Sequence, residues 1–215
     1  MKFTSTLIKG KLIKRYKRFF TDIKVNSQTV TAHCPNTGSM LGLLEQGNDV
    51  WLTKNDNPNR KLKYTLEIIK VNKSLIGVNT HRANKIVEHG LNNKLISDFK
   101  NIETIKPEFK YSSDTRFDFL CDKNIIEVKN VTLRRENDTA EFPDSVTSRG
   151  SKHLIKLINS LKSGYKPFVL FLTQIQDIRN FRIAKDIDNE YYNNYLLAKK
   201  AGVKFLAYRC VLSST

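Results

Sequence analysis

At 215 residues, 40% of them hydrophobic, the chain is long and apolar enough to bury a core and is not a disordered polyelectrolyte. Lys and Arg number 37 against 21 Asp and Glu, a formal net charge of +16, so nucleic acid is the expected partner, bound more weakly as salt rises, although Lys- and Asn-rich usage of the AT-rich kind also supplies such charge. Cys34, Cys121 and Cys210 lack Cys-x-x-Cys spacing, and lysines interrupt every apolar run near the start, which speaks against a zinc site, a disulfide scaffold, a signal peptide or a membrane span and for a soluble cytoplasmic protein.

Residues 7–78 read as short β runs separated by polar turns at Asn26-Ser27, Gly47-Asn48 and residues 55–59. Five or so strands in that length predict a small barrel over residues 1–80, of the oligonucleotide-binding kind. Lys9, Lys11, Lys14, Arg15, Lys17 and Arg18 interleave with Tyr16, Phe19 and Phe20, offering phosphate neutralisation beside stacking surfaces, or else a solvated strand face over core aromatics. The run His33-Cys34-Pro35-Asn36-Thr37-Gly38-Ser39-Met40 could present backbone N–H groups to a phosphate, or could be a tight turn over a buried Cys34.

The texture changes near residue 81. Ile86, Val87, Leu91, Leu95, Ile96 and Phe99 recur at helical spacing, which predicts a helix over 82–99 with Gly90 as a weak point and Glu88 beside its apolar stripe. A β run over 105–111 contains Glu108, and residues 116–132 read as a hairpin about Asp122-Lys123-Asn124. A polar loop is expected over 134–141, then Asp144 or Ser145 as the cap of a helix with its buried stripe at Leu154, Leu157, Ile158 and Leu161, ending at Gly164. Arg149, Lys152, His153 and Lys156 load the opening turns of that helix with cations, against its dipole, which points to a phosphate partner or to chance on a basic surface. Residues 167–175 form an apolar run typical of a strand covered on both faces, with Gln174 near its end as a candidate for positioning water or phosphate. A helix over 188–201, stopped by Gly202, and a strand over 203–212 complete an α/β sandwich with a mixed sheet.

Chemistry concentrates in the hairpin. Glu127 and Lys129 share one strand face by the period of two, and Asp118 can reach that face from the partner strand. Two carboxylates and an ammonium in a small volume suit Mg²⁺ or Mn²⁺, hard ions that need only one or two protein carboxylates and that clamp phosphate oxygens. A Glu-x-Lys pair also fits a solvated face with a weak ion pair. Ile125, Ile126, Val128 and Val131 around it favour burial, where an unpartnered charge is costly.

Residues 33–40, Asn59-Arg60-Lys61, residues 113–119 and 127–133, Phe142-Pro143-Asp144 and residues 149–154 stand in the order in which they resemble the sugar fermentation stimulation protein A family, over nearly the whole chain. The resemblance implies DNA binding, an oligonucleotide-binding barrel over 1–80 and a domain over 81–215 similar to the αβββαβ core of PD-(D/E)xK nucleases. By it Asp118, Glu127 and Lys129 correspond to the acid, second acid and lysine of the nuclease motif, and Glu88 or Glu108 to an auxiliary acid. Lys14, Arg15, Lys17, Arg18, Arg60, Lys61, Arg149, Lys152 and His153 are the expected nucleic-acid contacts. Such folds include members that only bind, so the resemblance is met equally by a divalent-metal-dependent deoxyribonuclease and by a non-catalytic nucleic-acid-binding regulator.

Overall fold

The computed structural model describes every residue except 4, 137 and 215. Its first unit is built from β1 (Ile8–Tyr16), β2 (Phe20–Val25), β3 (Gln28–His33), β4 (Asp49–Lys54), β5 (Tyr64–Val71) and β6 (Ser74–Gly77), in the sheet order β3-β2-β1-β4-β5-β6. A short parallel pairing of β3 with β5 closes the first five strands into a barrel. Alternation drives the closure. Leu12, Ile23, Ala32, Val50, Leu52, Leu66 and Ile69 point inward and are buried, while Lys9 and Lys11 point out and both reach Asp49, at 3.0 and 2.7 Å. Gly10 is required where β1 crosses β2, since a Cβ there would lie 2.6 Å from Ile23 Cγ2 and 2.9 Å from the Lys24 carbonyl oxygen.

The second unit begins with α1 (Arg82–Asn92), passes a 3-10 turn (Ser97–Phe99), and continues through β7 (Ile105–Lys110), β8 (Arg116–Cys121), β9 (Asn124–Val131), β10 (Leu133–Glu136), β11 (Thr139–Phe142), α2 (Ser148–Leu161), β12 (Lys166–Thr173), β13 (Asn180–Ile183), α3 (Asn189–Ala201) and β14 (Lys204–Arg209). Five strands form one sheet in the order β14-β12-β9-β8-β7, with β9, β12 and β14 parallel and the β7-β8-β9 side antiparallel. On one face Val87 and Leu91 of α1 pack with Phe119, Ile126, Val128 and Leu170. On the other, Leu154 and Leu157 of α2 and Tyr191 of α3 pack with Ile125, Val169 and Phe171. The expected mixed α/β sandwich behind a small barrel is therefore the observed architecture. Among the described residues no helix is long and apolar enough to cross a membrane.

Three local expectations differ. The helix over 82–99 stops at Asn92, because Lys94 turns left-handed (φ 56°) and Ile96 and Phe99 reach the core through the 3-10 turn instead. Gly90 lies within α1, two residues before its end, and a Cβ there would meet Ile96 at 3.2 Å, so the glycine lets the returning chain lie against the helix. The loop expected over 134–141 is replaced, among its described residues, by strand: β10 and β11 pair, and β11 gains a parallel neighbour in β13, tied by Arg182 Nε donating to Glu141 Oε1 at 2.7 Å and Arg135 Nε to Glu141 Oε2 at 2.7 Å; residue 137 lies outside the described residues. Charge density concealed that pairing, since the buried Glu141 carboxylate is answered by Arg135 on the neighbouring strand and by Arg182, 41 residues away.

Finally, α2 is capped by Thr147, not by Asp144 or Ser145: its Oγ1 accepts the Gly150 N–H at 3.1 Å. Its own N–H donates to Asp188 Oδ2 at 2.8 Å, while Asp188 Oδ1 accepts the Tyr191 N–H at 2.9 Å as the cap of α3, so one carboxylate pins both helix starts. Thr147→Ala is expected to lower stability by about 1 kcal/mol, a fall of roughly 2–4 °C in Tm by calorimetry.

Candidate functional site

The β8–β9 ladder runs from Cys121↔Asn124 through Leu120↔Ile125 to Phe119↔Ile126 and then ends. Continued by one step it would set Asp118 opposite Glu127; instead the strands part, and the Asp118 carboxylate fills the gap. Its Oδ2 accepts the Val128 N–H at 2.7 Å and its Oδ1 accepts from Asn84 Nδ2 of α1 at 2.6 Å. Glu127, 4% exposed, lies on the face of β9 opposite Ile126 and Val128. Lys129 Nζ donates to Glu127 Oε1 at 2.7 Å, and His153 Nδ1 of α2 bonds the same oxygen at 2.6 Å. The other oxygen, Oε2, is buried with no hydrogen-bond partner among the described residues.

The electrostatics express the same shortage of positive charge. Burial, and then repulsion from Glu127, push the Asp118 carboxyl up to about 6, against the pull of the Val128 N–H, Asn84 and Lys129. Burial also pushes Glu127 upward, but Lys129 and His153 outweigh it and hold that carboxyl below the usual range. The site thus joins an acid that holds its proton more tightly than usual to a fixed carboxylate with one oxygen left unpaired among the described residues. The described residues offer no group of three or more His, Cys, Asp or Glu to cage an ion. Two carboxylates with one unpaired oxygen nevertheless meet the needs of Mg²⁺ or Mn²⁺, whose remaining positions are filled by water and substrate phosphate.

The predicted residues divide clearly. Lys129 and Glu127 pair directly, and both act electrostatically on the Asp118 carboxyl, whose own hydrogen bonds go to the Val128 N–H and to Asn84 of α1. Glu88 makes no hydrogen bond or ion pair with them among the described residues; Asn84, one turn earlier on α1, takes the contact with Asp118. Glu108 is at an irregular point of β7 with φ 52° and faces Arg116 at 3.3 Å, so it does not join the acids. Gln174 is buried and structural: its Nε2 donates to Asn130 Oδ1 at 2.6 Å and its carbonyl accepts the Gly77 N–H at 2.7 Å, which stitches β12 to the barrel.

Among the cations, Arg15 is an anchor rather than a free contact, its guanidinium donating to the carbonyls of Asn36 at 2.7 Å and Gly38 at 3.1 Å. That bond, with the Gly38 N–H turned back on Asn36 Oδ1 at 2.9 Å, ties residues 36–39 into a turn over the buried Cys34, while the buried Asn36 Nδ2 has no partner among the described residues. Lys14 lies 5.6 Å from the Tyr16 ring, while Lys17 and Arg18 form the left-handed turn after β1. Arg60 donates to Thr65 Oγ1 at 2.9 Å, and Lys61 is exposed. His153 turns inward to Glu127, because its place on α2 faces the sheet; Arg149 and Lys152 line, with Lys110, Arg116 and Lys156, a cleft of about 670 Å³ that reaches His153.

Two participants escaped sequence reading. Asn84 carries no chemical signal by itself, though an amide one turn from Glu88 shares its helix face. Tyr191 is fully buried, its hydroxyl without a partner among the described residues, and burial followed by the Glu127 charge drives its pKa upward, which places it near Glu127.

Comparison with known proteins identifies the family and the fold. Residues 81–215 match the family model described as the sugar fermentation stimulation protein RE domain, and residues 13–78 match the SfsA N-terminal OB domain. The chain is similar to the sugar fermentation stimulation protein homolog of Pelagibacter ubique, 65% identical over 218 residues covering 100% of this chain and 94% of that protein. Its similarity to the homolog of Maricaulis maris is 43% over 221 residues, again covering 100% of this chain and 94% of that protein. Among solved structures, that of Pyrococcus furiosus SfsA in complex with Ca²⁺ has the same fold, with a TM-score of 0.87 at 23% identity, covering 97% of this chain and 90% of that one.

Proposed function

Because the chain belongs to the sugar fermentation stimulation protein family, and because its acids converge beside an unpaired oxygen, we propose that it is a DNA-binding protein whose second domain hydrolyses phosphodiester bonds with a divalent cation. The buried, partnerless Oε2 of Glu127 next to Asp118 carries this reading, and the Ca²⁺ of the Pyrococcus furiosus structure supports a divalent ion for this fold. Asp118 and Glu127 are the residues that would hold Mg²⁺ or Mn²⁺, and when bound the ion supplies Lewis-acid polarisation of the phosphate and acidification of water. The chain's own residues set the geometry. Asn84 and the Val128 N–H fix Asp118, and His153 fixes Glu127. Lys129, tied to Glu127, has further N–H donors to steady charge growing on phosphoryl oxygens. Arg149 and Lys152 offer contacts to flanking phosphates along the cleft. The free thiols of Cys34, Cys121 and Cys210 suit a reducing cytoplasm.

Plasmid DNA incubated with Mg²⁺ or Mn²⁺ is expected to be nicked or linearised, and Lys129→Met to slow cleavage by about 10²–10³-fold. A panel of DNA and RNA substrates left intact across these metals would remove the catalytic reading. That neither Glu88 nor Glu108 makes a hydrogen bond or ion pair with the acid pair among the described residues, Glu108 facing Arg116 instead, favours a second reading, a regulator that binds without cutting; gel shifts steeply weakened by salt, with no cleavage, would identify it.

A further inference from the structure

Away from the acid pair, the end of the barrel and the start of α1 enclose a cleft of about 460 Å³ lined by cations from separate segments. Four charged bases reach it: Lys54, Arg60, Arg82 and Lys85. Two are already answered. Lys54 faces Asp56 at 3.4 Å, and Arg82 grips the buried Glu67, Nη2 donating to Oε1 at 2.9 Å. Glu67 is also fully spent, since Thr53 Oγ1 and Asn79 Nδ2 donate to its oxygens at 2.7 and 2.9 Å. Arg60 and Lys85 have no carboxylate within ion-pair distance among the described residues, so two positive charges face the cleft unanswered. Arg60 is held in place by Thr65 Oγ1 through one of its five N–H groups and keeps the rest for a ligand.

His33 and His81 add two imidazole rings to the same wall. Burial, then the charges of Arg60 and His81, lower the His33 pKa, which leaves its ring neutral at pH 7 and able to donate one N–H without adding charge. The cleft therefore offers a planar guanidinium, an ammonium and the neutral His33 ring, with His81 beside it, around a net demand for two negative charges. A phosphodiester brings one. A phosphate monoester brings about 1.5 to 2 at pH 7, with three acceptor oxygens.

We propose that this cleft is a binding site for a phosphate monoester, gripped by Arg60 and Lys85 with the His33 and His81 rings as further donors. Lys85 follows Asn84, whose amide holds Asp118, so the monoester site and the acid pair are served by the same turn of α1. Two sources share this chemistry, the phosphorylated end of a nucleic-acid strand and a small sugar phosphate. The strand-end form extends the DNA-binding reading above and gives the second domain a means of sensing termini; the monoester site itself does not depend on cleavage.

The test is a binding experiment in EDTA, so that hydrolysis plays no part. Fluorescence anisotropy with one labelled oligonucleotide, bearing a 5′-phosphate, a 3′-phosphate or hydroxyl ends, is compared with calorimetric titration of a hexose phosphate and of inorganic phosphate. Either one phosphorylated end binds about tenfold tighter than the hydroxyl form, or the hexose phosphate binds while the ends are not distinguished; each outcome supports the site and names its source. Arg60→Gln and Lys85→Gln are expected to erase that preference, whereas Lys152→Gln, in the separate cleft at α2, lowers affinity for all oligonucleotides alike. Equal binding of all ends together with no uptake of either small phosphate would overturn the proposal, and so would a preference that survives in both Arg60→Gln and Lys85→Gln.

Discussion

Asp118→Asn is expected to abolish metal-dependent DNA cleavage, by about 10³-fold or more, while making the metal-free protein more stable at pH 8. The two effects share one origin. In the folded chain burial and Glu127 raise the Asp118 carboxyl from 3.8 to about 6, so folding favours its protonated form. Stability attached to this group is complete below the unfolded value and declines as pH rises through the folded one, because the native state binds the extra proton in that window. The rise corresponds to about 3 kcal/mol at most, which an uncharged amide of the same shape would recover in part. Asn84 can rotate its own amide to present an oxygen, so the hydrogen bonds of Asp118 survive the change. In EDTA the Asp118→Asn protein should melt several degrees above the parent at pH 8, and the gain should vanish near pH 4, where the parent acid is itself protonated. Mg²⁺ or Mn²⁺ should raise the Tm of the parent at pH 8 and leave that of Asp118→Asn unchanged.

Glu127→Ala is expected to have the opposite effect on stability and the same effect on cleavage. Lys129 and His153 side chains are only 14% and 12% exposed and share one oxygen of Glu127 as acceptor. Truncating it leaves a buried ammonium with no counter-charge, a loss of about 3–5 kcal/mol and thus roughly 10 °C or more in Tm. The pH sign also differs from that of Asp118. Since Glu127 is held below its ordinary value, its contribution is present above the unfolded pKa and is lost as pH falls through the folded one. Glu127→Gln, which keeps an acceptor for Lys129 and His153, should lose much less stability but remain inactive. The double change Glu127→Leu with Lys129→Met should restore most of the stability lost in Glu127→Ala, because it removes both charges together.

How much of this was legible in the sequence depended on whether a signal was local. The hairpin of β8 and β9, the apolar β12 and the capped α3 announce themselves through turns, β-branched runs, and an Asp188 to Gly202 frame. Glu127 and Lys129 stand out because charge interrupts an aliphatic strand, and period two already places them together. What stayed hidden was set by tertiary contact. Nothing near Asn84 says that its amide will hold Asp118 across 34 positions, and the choice of Glu88 followed charge where the fold used an amide. His153 read as one of several surface cations because its inward turn depends on how α2 lies on the sheet. Arg15 read as a phosphate contact although the fold spends it on the carbonyls of a turn 21 or more residues away. The β10–β11 hairpin was invisible for a similar reason: Glu141 is fully buried and is made tolerable only by Arg135 and Arg182.

Crystals of the protein soaked in Mn²⁺ and measured at the manganese absorption edge address the central claim most directly. A single strong anomalous peak should appear between Asp118 and Glu127, bonded to the Glu127 oxygen that neither Lys129 nor His153 occupies, and it should be absent from Asp118→Asn crystals treated in the same way. No peak there at saturating Mn²⁺, or a peak bound elsewhere while Oε2 stays unpaired, would contradict it.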